Sequence, residues 1–79
     1  MAFYVDTIEQ IKGENGPTEY GKREKKATKE AALVDFYSKL SNVANDIGEG
    51  KNHYFMDIRI VNSQGGVEKK DSVGEYKEA

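Results

Sequence analysis

The 79-residue sequence contains no cysteine and no tryptophan, and it has one proline and one histidine. Without cysteine the chain can form neither a disulfide nor a thiolate metal site, so its stability must come from packing. No stretch approaches the roughly 18 apolar residues that span a bilayer, and the N-terminus lacks the basic and apolar segments of a signal peptide. These absences predict a soluble, cytoplasmic protein without a membrane partner.

The length allows only one hydrophobic core, because two domains would each fall below the roughly 40 residues needed for independent folding. Apolar residues make up 37% of the chain and charged residues 33%, with five tyrosines and three phenylalanines. This composition is polar but richer in large apolar side chains than typical disordered chains. We therefore predict a single domain over residues 1–79, with a C-terminal tail that is frayed from about residue 75.

Residues 2–12 are rich in β-branched and aromatic side chains, which favours a strand. Ile8 breaks the apolar alternation of this segment, and a bulge near Asp6 and Thr7 would restore it. A short helix over residues 6–12 is the alternative, because the apolar residues also fit a spacing of three to four.

A turn is predicted at residues 13–17, where glycine, asparagine and proline are concentrated. Residues 18–27 follow and are polar. They include a basic run, which Glu24 interrupts and which consists of Lys22, Arg23, Lys25 and Lys26. As an edge strand, this segment would discourage pairing with other sheets through its charges. It is equally compatible with an extended loop.

A helix is predicted to begin after Thr28, an N-cap residue, with Glu30 in its first turn. Apolar side chains then recur at intervals of three and four residues, at Leu33, Phe36, Tyr37, Leu40, Val43, Ala44 and Ile47. Polar residues fall mostly on the opposite side, so the helix is amphipathic and should cover an apolar surface. Gly48 is its predicted stop.

The segment from His53 to Asn62 is predicted to be a strand because its apolar residues alternate. One face carries Tyr54, Met56, Ile58 and Ile60, and the other carries His53, Phe55, Asp57, Arg59 and Val61. The first face should meet the helix. A hairpin loop over residues 63–66 and a charged strand over residues 67–76 follow. Together, the predicted strands and helix form an α+β domain with the order β-β-α-β-β or β-α-β-β, in which one helix packs across one face of a small antiparallel sheet.

Motifs that carry catalysis are lacking. Residues 16–22 match most of the phosphate-loop pattern, but Arg23 stands where a hydroxyl would hold magnesium, and no helix signal starts at Lys22. The lone histidine, His53, has neither a serine nucleophile motif nor a second histidine at metal-binding spacing. We therefore predict that the protein is not an enzyme and uses no metal and no cofactor.

The sheet face away from the helix is the predicted binding surface. It should expose Tyr4, His53, Phe55 and Arg59, with help from Lys22, Arg23, Lys25 and Lys26. We predict a non-enzymatic interaction module that binds a protein partner or a second copy of itself through this face. The alternative is weak single-stranded nucleic-acid binding, with bases on the aromatic rings and phosphates on Arg59 and the basic run. The net charge of −2 disfavours that alternative.

Two strings of the sequence carry a resemblance, EAALVDFYSKLSNVA at residues 30–44 and MDIRIVNSQGGV at residues 56–67. They resemble small uncharacterised proteins of Gram-positive gut-type bacteria and of their phages and conjugative elements. Those proteins have a similar first strand with an aromatic–valine pair, here Tyr4-Val5, while the basic segment 18–27 departs from their pattern. The resemblance implies an accessory or regulatory protein of a mobile element. It transfers no functional residue, because the matching positions are mostly core positions.

Overall fold

The computed structural model describes residues 2–78, which form four strands and one helix. The elements are β1 (Phe3–Gly13), β2 (Gly16–Lys26), α1 (Lys29–Gly48), β3 (His53–Asn62) and β4 (Val67–Gly74). Neighbouring strands pair antiparallel in one open sheet, in the order β2-β1-β3-β4. The α+β class and the β-β-α-β-β order are therefore confirmed, and the polar segment after the first turn is an edge strand.

A tight turn joins β1 to β2, where the sequence predicted one. The two strands pair without interruption from Gly13 opposite Gly16 to Phe3 opposite Lys26. Gly16 has a φ of 123°, which glycine adopts without the steric cost of a Cβ atom. Because the basic run belongs to a strand, its side chains alternate between the two faces of the sheet.

The alternation of β1 is regular where a bulge was predicted. Ile8 lies on the face away from α1 and is 48% exposed, whereas Thr7 is buried on the helix side. The predicted bulge near Asp6 and Thr7 is therefore wrong. The register shift lies further along, between Gln10 and Ile11, where β1 pairs with β3. Single exposed apolar residues are common on protein surfaces, so Ile8 did not require an irregular strand.

The two ends of α1 follow the usual capping chemistry. The Thr28 side-chain oxygen accepts a hydrogen bond from the backbone N–H of Ala31 at 3.1 Å, as predicted for an N-cap. At the other end, Gly48 is the last helical residue, but Gly50 takes the left-handed conformation, with a φ of 68°. The N–H of Gly50 donates to the carbonyl of Ile47 at 3.0 Å. The reversal therefore comes two residues after the predicted stop.

The hydrophobic core lies between α1 and the central strands. Its buried members are Val5, Ala32, Phe36, Val43, Met56, Ile58 and Ile60. Three members of the predicted β3 row, Met56, Ile58 and Ile60, are fully buried under the helix, whereas Tyr54, the fourth, is half-buried and lies outside this core. Leu33, Leu40 and Ile47 of the helical stripe pack around this centre and are partly buried.

An ion network joins the edge strand β2 to α1. The Glu24 carboxylate lies 3.0 Å from the ammonium of Lys22, 3.3 Å from that of Lys26 and 3.1 Å from that of Lys39. Lys39 also pairs with Asp35 at 2.7 Å, one helical turn away. Hydrogen bonds from Lys22 and Lys39 lower the pKa of Glu24 to about 2. The carboxylate is therefore stabilised in its charged form by the fold.

Replacing Glu24 with glutamine should lower the free energy of unfolding by about 1 kcal/mol near neutral pH, the upper range for partly exposed ion pairs. Because the folded pKa is depressed, this stability is present above the usual value of 4.5 and is lost as the pH falls toward about 2. Urea unfolding at about pH 7 and about pH 3 should show the difference between Glu24→Gln and the natural protein shrinking with acid. Glu49→Gln, at an exposed ion pair, is the control. An equal loss at both pH values would contradict the role of the charged carboxylate.

Candidate binding face and histidine clamp

The face of the sheet turned away from α1 is built from four rows, each with one residue from every strand; we call it the open face. The apolar row is Lys25, Tyr4, Val61 and Val67, and the charged row is Arg23, Asp6, Arg59 and Lys70. The Ile8 row is Gly21, Ile8, Asp57 and Ser72, and the Gln10 row is Glu19, Gln10, Phe55 and Gly74. Neighbouring members of a row are cross-strand partners, so their side chains interact directly.

Three of the predicted binding residues, Tyr4, Phe55 and Arg59, lie on the open face, on the side of the sheet away from the core. Arg59 is exposed, whereas Tyr4 and Phe55 are half-buried. Phe55 is shielded by the ring of Tyr76, which meets it edge-on with ring centroids 5.7 Å apart. The structure therefore brings these three residues to one face, with Phe55 at its covered end.

The predicted basic run does not form a single surface. Strand alternation places Arg23 and Lys25 on the open face, while Lys22 and Lys26 turn to the helix side and pair with Glu24. The predicted joint use of all four cations would require a loop, whereas these residues belong to β2. In a strand, successive side chains point to opposite faces, so only half of the run can meet a partner on the open face.

Two arginines of the open face are paired with aspartates, whereas Lys25 and Lys70 form no ion pair among the described residues. The Arg23 guanidinium donates two hydrogen bonds to Asp6, at 2.7 and 2.6 Å, and it lies 4.6 Å from the centroid of the Tyr4 ring. Arg59 donates to Asp57 at 3.0 Å. Such forked contacts hold both partners in a fixed plane. The face therefore presents rigid charges of both signs beside an aromatic ring that is already covered.

His53 does not lie on the open face, where the alternation of β3 predicted it. Gln10 pairs with Phe55 and Ile11 pairs with His53, so Tyr54 is an extra residue on β3 at this point. An extra residue of this kind reverses the side to which the preceding residue points. The prediction for His53 is therefore wrong, and its ring lies against the end of α1 instead.

The His53 ring sits between two carboxylates, an arrangement that we call the histidine clamp. Its Nδ1 atom is 2.6 Å from Asp46 Oδ2 and its Nε2 atom is 2.9 Å from Glu9 Oε1. The same Asp46 oxygen accepts the backbone N–H groups of Asn52, at 3.2 Å, and of His53, at 3.0 Å. The clamp connects β1, β3 and the last turns of α1.

The electrostatics of the clamp favour a charged ring. Burial alone would lower the pKa of His53, but hydrogen bonds to Asp46 and Glu9 outweigh it and raise the pKa. The hydrogen bond from His53 is in turn the main reason why the pKa of Asp46 is lowered. Both ring nitrogens are occupied by carboxylates, one from β1 and one from α1. The clamp therefore ties these two elements to β3.

A shallow groove of about 320 Å³ lies beside the clamp. The ammonium groups of Lys12 and Lys77 lie 6.0 and 5.9 Å from the centroid of the Tyr54 ring at its wall. Lys12 also donates to the carbonyl of Gly50 at 3.2 Å. Glu75 and Lys51, which pairs with Glu49 at 2.7 Å, line the same groove.

The C-terminal segment, residues 75–78, lies over the Gln10 row. The Gln10 side-chain amide donates to the backbone carbonyl of Lys77 at 2.6 Å and accepts from the Lys77 N–H at 2.7 Å. Gln10 is consequently only 3% exposed. The tail was predicted to be frayed; residues 75–78 form no regular element, but they are held to the sheet. Ala79, the last residue of that prediction, lies outside the described residues.

Neither the clamp nor the Gln10–Lys77 contact was found by sequence reasoning. Both join residues that are far apart in the chain, Glu9 with His53 and Gln10 with Lys77. Asp46 and His53 are closer, seven residues apart, but this spacing matches no recognised motif. In a strand of alternating polar and apolar residues, a glutamine is expected to face solvent. Gln10 is buried only because the tail lies over it.

Within residues 2–78, no group of three or more histidine, aspartate and glutamate side chains is arranged to hold a metal ion. In the same part of the chain, no helix combines the length and the apolar character needed to cross a membrane. Comparisons of the chain with protein-family models, with curated proteins and with solved structures find no match.

Proposed function

We propose that the protein is a non-enzymatic interaction module that binds a polypeptide through its open face. The observation that carries this proposal is the composition of that face, where exposed apolar side chains adjoin arginines that are held by aspartates. Ile8 and Val67 are both about half exposed, and they flank the paired Arg59 and Asp57. Tyrosine and arginine beside apolar side chains are typical of the energetically dominant part of protein interfaces.

The same face is a poor platform for single-stranded nucleic acid, the alternative function. Bases stack on free aromatic faces and phosphates seek unpaired cations. Arg23 already lies over the Tyr4 ring, and Tyr76 packs against Phe55. Lys22 and Lys26 are engaged on the other side of the sheet, which leaves Lys25 and Lys70 as the cations of this face without an ion pair among the described residues. These contacts favour a polypeptide partner, for which paired charges can exchange partners across the interface.

We further propose that the module is an accessory or regulatory protein of a bacterial mobile element and acts in the cytoplasm. The resemblance of residues 30–44 and 56–67 to small proteins of such elements supports this placement. It says nothing about the partner, because the resembling positions include the core residues Phe36, Met56 and Ile58. Identifying the partner therefore requires binding experiments with variants of the open face.

The double substitution Ile8→Ser and Arg59→Ser should weaken partner binding at least tenfold, about 1.4 kcal/mol, without unfolding the domain. A partner is first captured on the natural protein and then purified, and both affinities are measured by calorimetry. Val34→Ser is the matched control, because Val34 is 72% exposed on α1, away from the open face. Equal affinity for the double variant and the natural protein would exclude the Ile8 and charged rows of the open face as the site and would overturn the proposed function.

Two further measurements test whether the open face binds a second copy of the chain or a nucleic acid instead of another polypeptide. Sedimentation of the natural protein and the double variant shows whether the captured partner is a second copy of the chain. Titration with a single-stranded oligonucleotide tests the alternative function, since phosphate contacts weaken steeply between about 50 and 200 mM salt. Oligonucleotide binding that follows this salt dependence and is lost in the double variant would replace the protein-binding proposal.

A further inference from the structure

The Gln10 row is the covered end of the open face. The apolar, charged and Ile8 rows have no described segment of the chain over them, whereas Tyr76 and Lys77 lie over Phe55 and Gln10. A glutamine on a bare sheet would keep its amide in water. The amide of Gln10 instead has both its hydrogen-bonding sides occupied by one residue of the tail.

The contact has the form of peptide recognition. The Gln10 amide bonds to the backbone N–H and C=O of the same residue, Lys77, as a neighbouring strand would. This part of the contact does not depend on the side chain of the bound residue. Selectivity for a side chain comes from Tyr76, the residue before Lys77. The Tyr76 ring packs edge-on against Phe55 and lies near Glu19, a carboxylate that raises the pKa of the Tyr76 hydroxyl.

The hold on the tail is small. Beyond the two bonds to Gln10 and the ring contact, the segment is held by one backbone bond, from the N–H of Glu75 to the carbonyl of Tyr54 at 3.0 Å, and by the Lys77 ammonium 5.9 Å from the Tyr54 ring centroid. Tyr76 itself remains 53% exposed. A short tether gives the tail an effective concentration on the order of millimolar, so a competing segment must gain contacts that the tail lacks. The three adjacent rows of the open face offer such contacts.

We propose that the Gln10 row is a recognition subsite for an extended peptide segment that carries a tyrosine, and that a partner places this segment there by displacing the chain's own Tyr76 and Lys77. The inference rests on the proposed function of the open face and specifies which part of the partner reaches its covered end. Gln10 reads the backbone of the segment, and Phe55 with Glu19 reads the tyrosine.

The test uses the 79-residue chain with Tyr76→Ala and Lys77→Pro, in which the tail loses its ring and the N–H that donates to Gln10. The probe is an acetylated peptide with the sequence of residues 74–79, GEYKEA, followed through the side-chain amide signals of Gln10 in nitrogen-15 NMR spectra. We expect the released variant to bind this peptide with a dissociation constant of about 0.1 mM and the natural protein about tenfold more weakly, because the tail competes at an effective concentration on the order of millimolar. A peptide with alanine in place of tyrosine should not bind.

A second measurement needs no variant. The side-chain amide protons of Gln10 in the natural protein should exchange with solvent at least tenfold more slowly than those of Gln64, which is exposed in the loop between β3 and β4. Equal exchange at the two glutamines, or no response of Gln10 to the peptide in a folded released variant, would overturn the subsite.

The failure of this inference can be told apart from failure of the proposed function. The peptide contacts only the Gln10 row, whereas the substitutions at Ile8 and Arg59 alter the neighbouring rows. If those substitutions abolish partner binding while the peptide does not bind, the proposed function stands and the subsite is rejected. If the peptide binds but the substitutions leave partner affinity unchanged, the subsite stands and the partner does not use the rest of the face.

Discussion

Phe36→Ala should lower the free energy of unfolding by about 3–5 kcal/mol, the range for deleting a fully buried phenylalanine. Phe36 is completely buried and lies at the centre of the contact between α1 and the sheet. Domains of this size have roughly 5 kcal/mol of stability in total. We therefore expect the variant to be largely unfolded at 37 °C, with a circular-dichroism melt that is shifted well below that of the natural protein and much less cooperative.

The control for this prediction is Val34→Ala, two residues away on the exposed side of the same helix. It should change the stability by no more than about 0.5 kcal/mol. Phe36→Leu, which keeps most of the buried volume, should fall between the two. If Phe36→Ala melted within a few degrees of Val34→Ala, the core would not depend on this side of the helix.

His53→Gln should cost about 2 kcal/mol of stability at mildly acidic pH, because it leaves two partly buried carboxylates without their cation. The pKa of His53 is raised in the folded protein. The contribution of the charged ring is therefore complete below the usual value of about 6.5 and is lost as the pH rises through the folded pKa. Urea unfolding at several pH values should show the difference between the two proteins shrinking toward alkaline pH.

The chain offers direct controls for the clamp. His53 is the only histidine, so one imidazole signal in the proton NMR spectrum follows its titration without assignment. Glu9→Gln should lower the pKa of His53, because it removes one of the two carboxylates that face the ring. A histidine that titrates at its usual value in the natural protein, or a stability difference that grows with rising pH, would contradict the clamp.

The elements that could be predicted are those whose signals are local. The Thr28 cap and the stripe that includes Phe36 are local signals, and α1 follows both. The alternation of β3 identified the row from Met56 to Ile60 as the side that meets the helix. These patterns involve residues within one or two helical turns or strand pleats of each other. They can therefore be interpreted without knowing how the rest of the chain folds.

The wrong predictions concern residues whose orientation or contacts depend on distant parts of the chain. A single extra residue in β3 moves His53 from one face of the sheet to the other. This extra residue is defined by the pairing of β3 with β1, a strand that is far away in the sequence. The sequence predicts the basic run as one patch because its pattern fits both a strand and a loop, and only a strand separates Arg23 from Lys22. The tail looked frayed because its partner, Gln10, lies 67 positions earlier. Patterns within a window contain no information about such contacts.

The strand order β2-β1-β3-β4 has a consequence for how the chain folds. Each outer strand neighbours its own hairpin partner, and hairpins of this kind close within about 1–10 μs. The two inner strands, however, are separated by β2 and the whole of α1, so joining them requires closing a long loop. That non-local step should set the folding rate. Because α1 packs mainly on β3 and less on β1, the hydrophobic core is complete only when Val5 of β1 joins the row on β3.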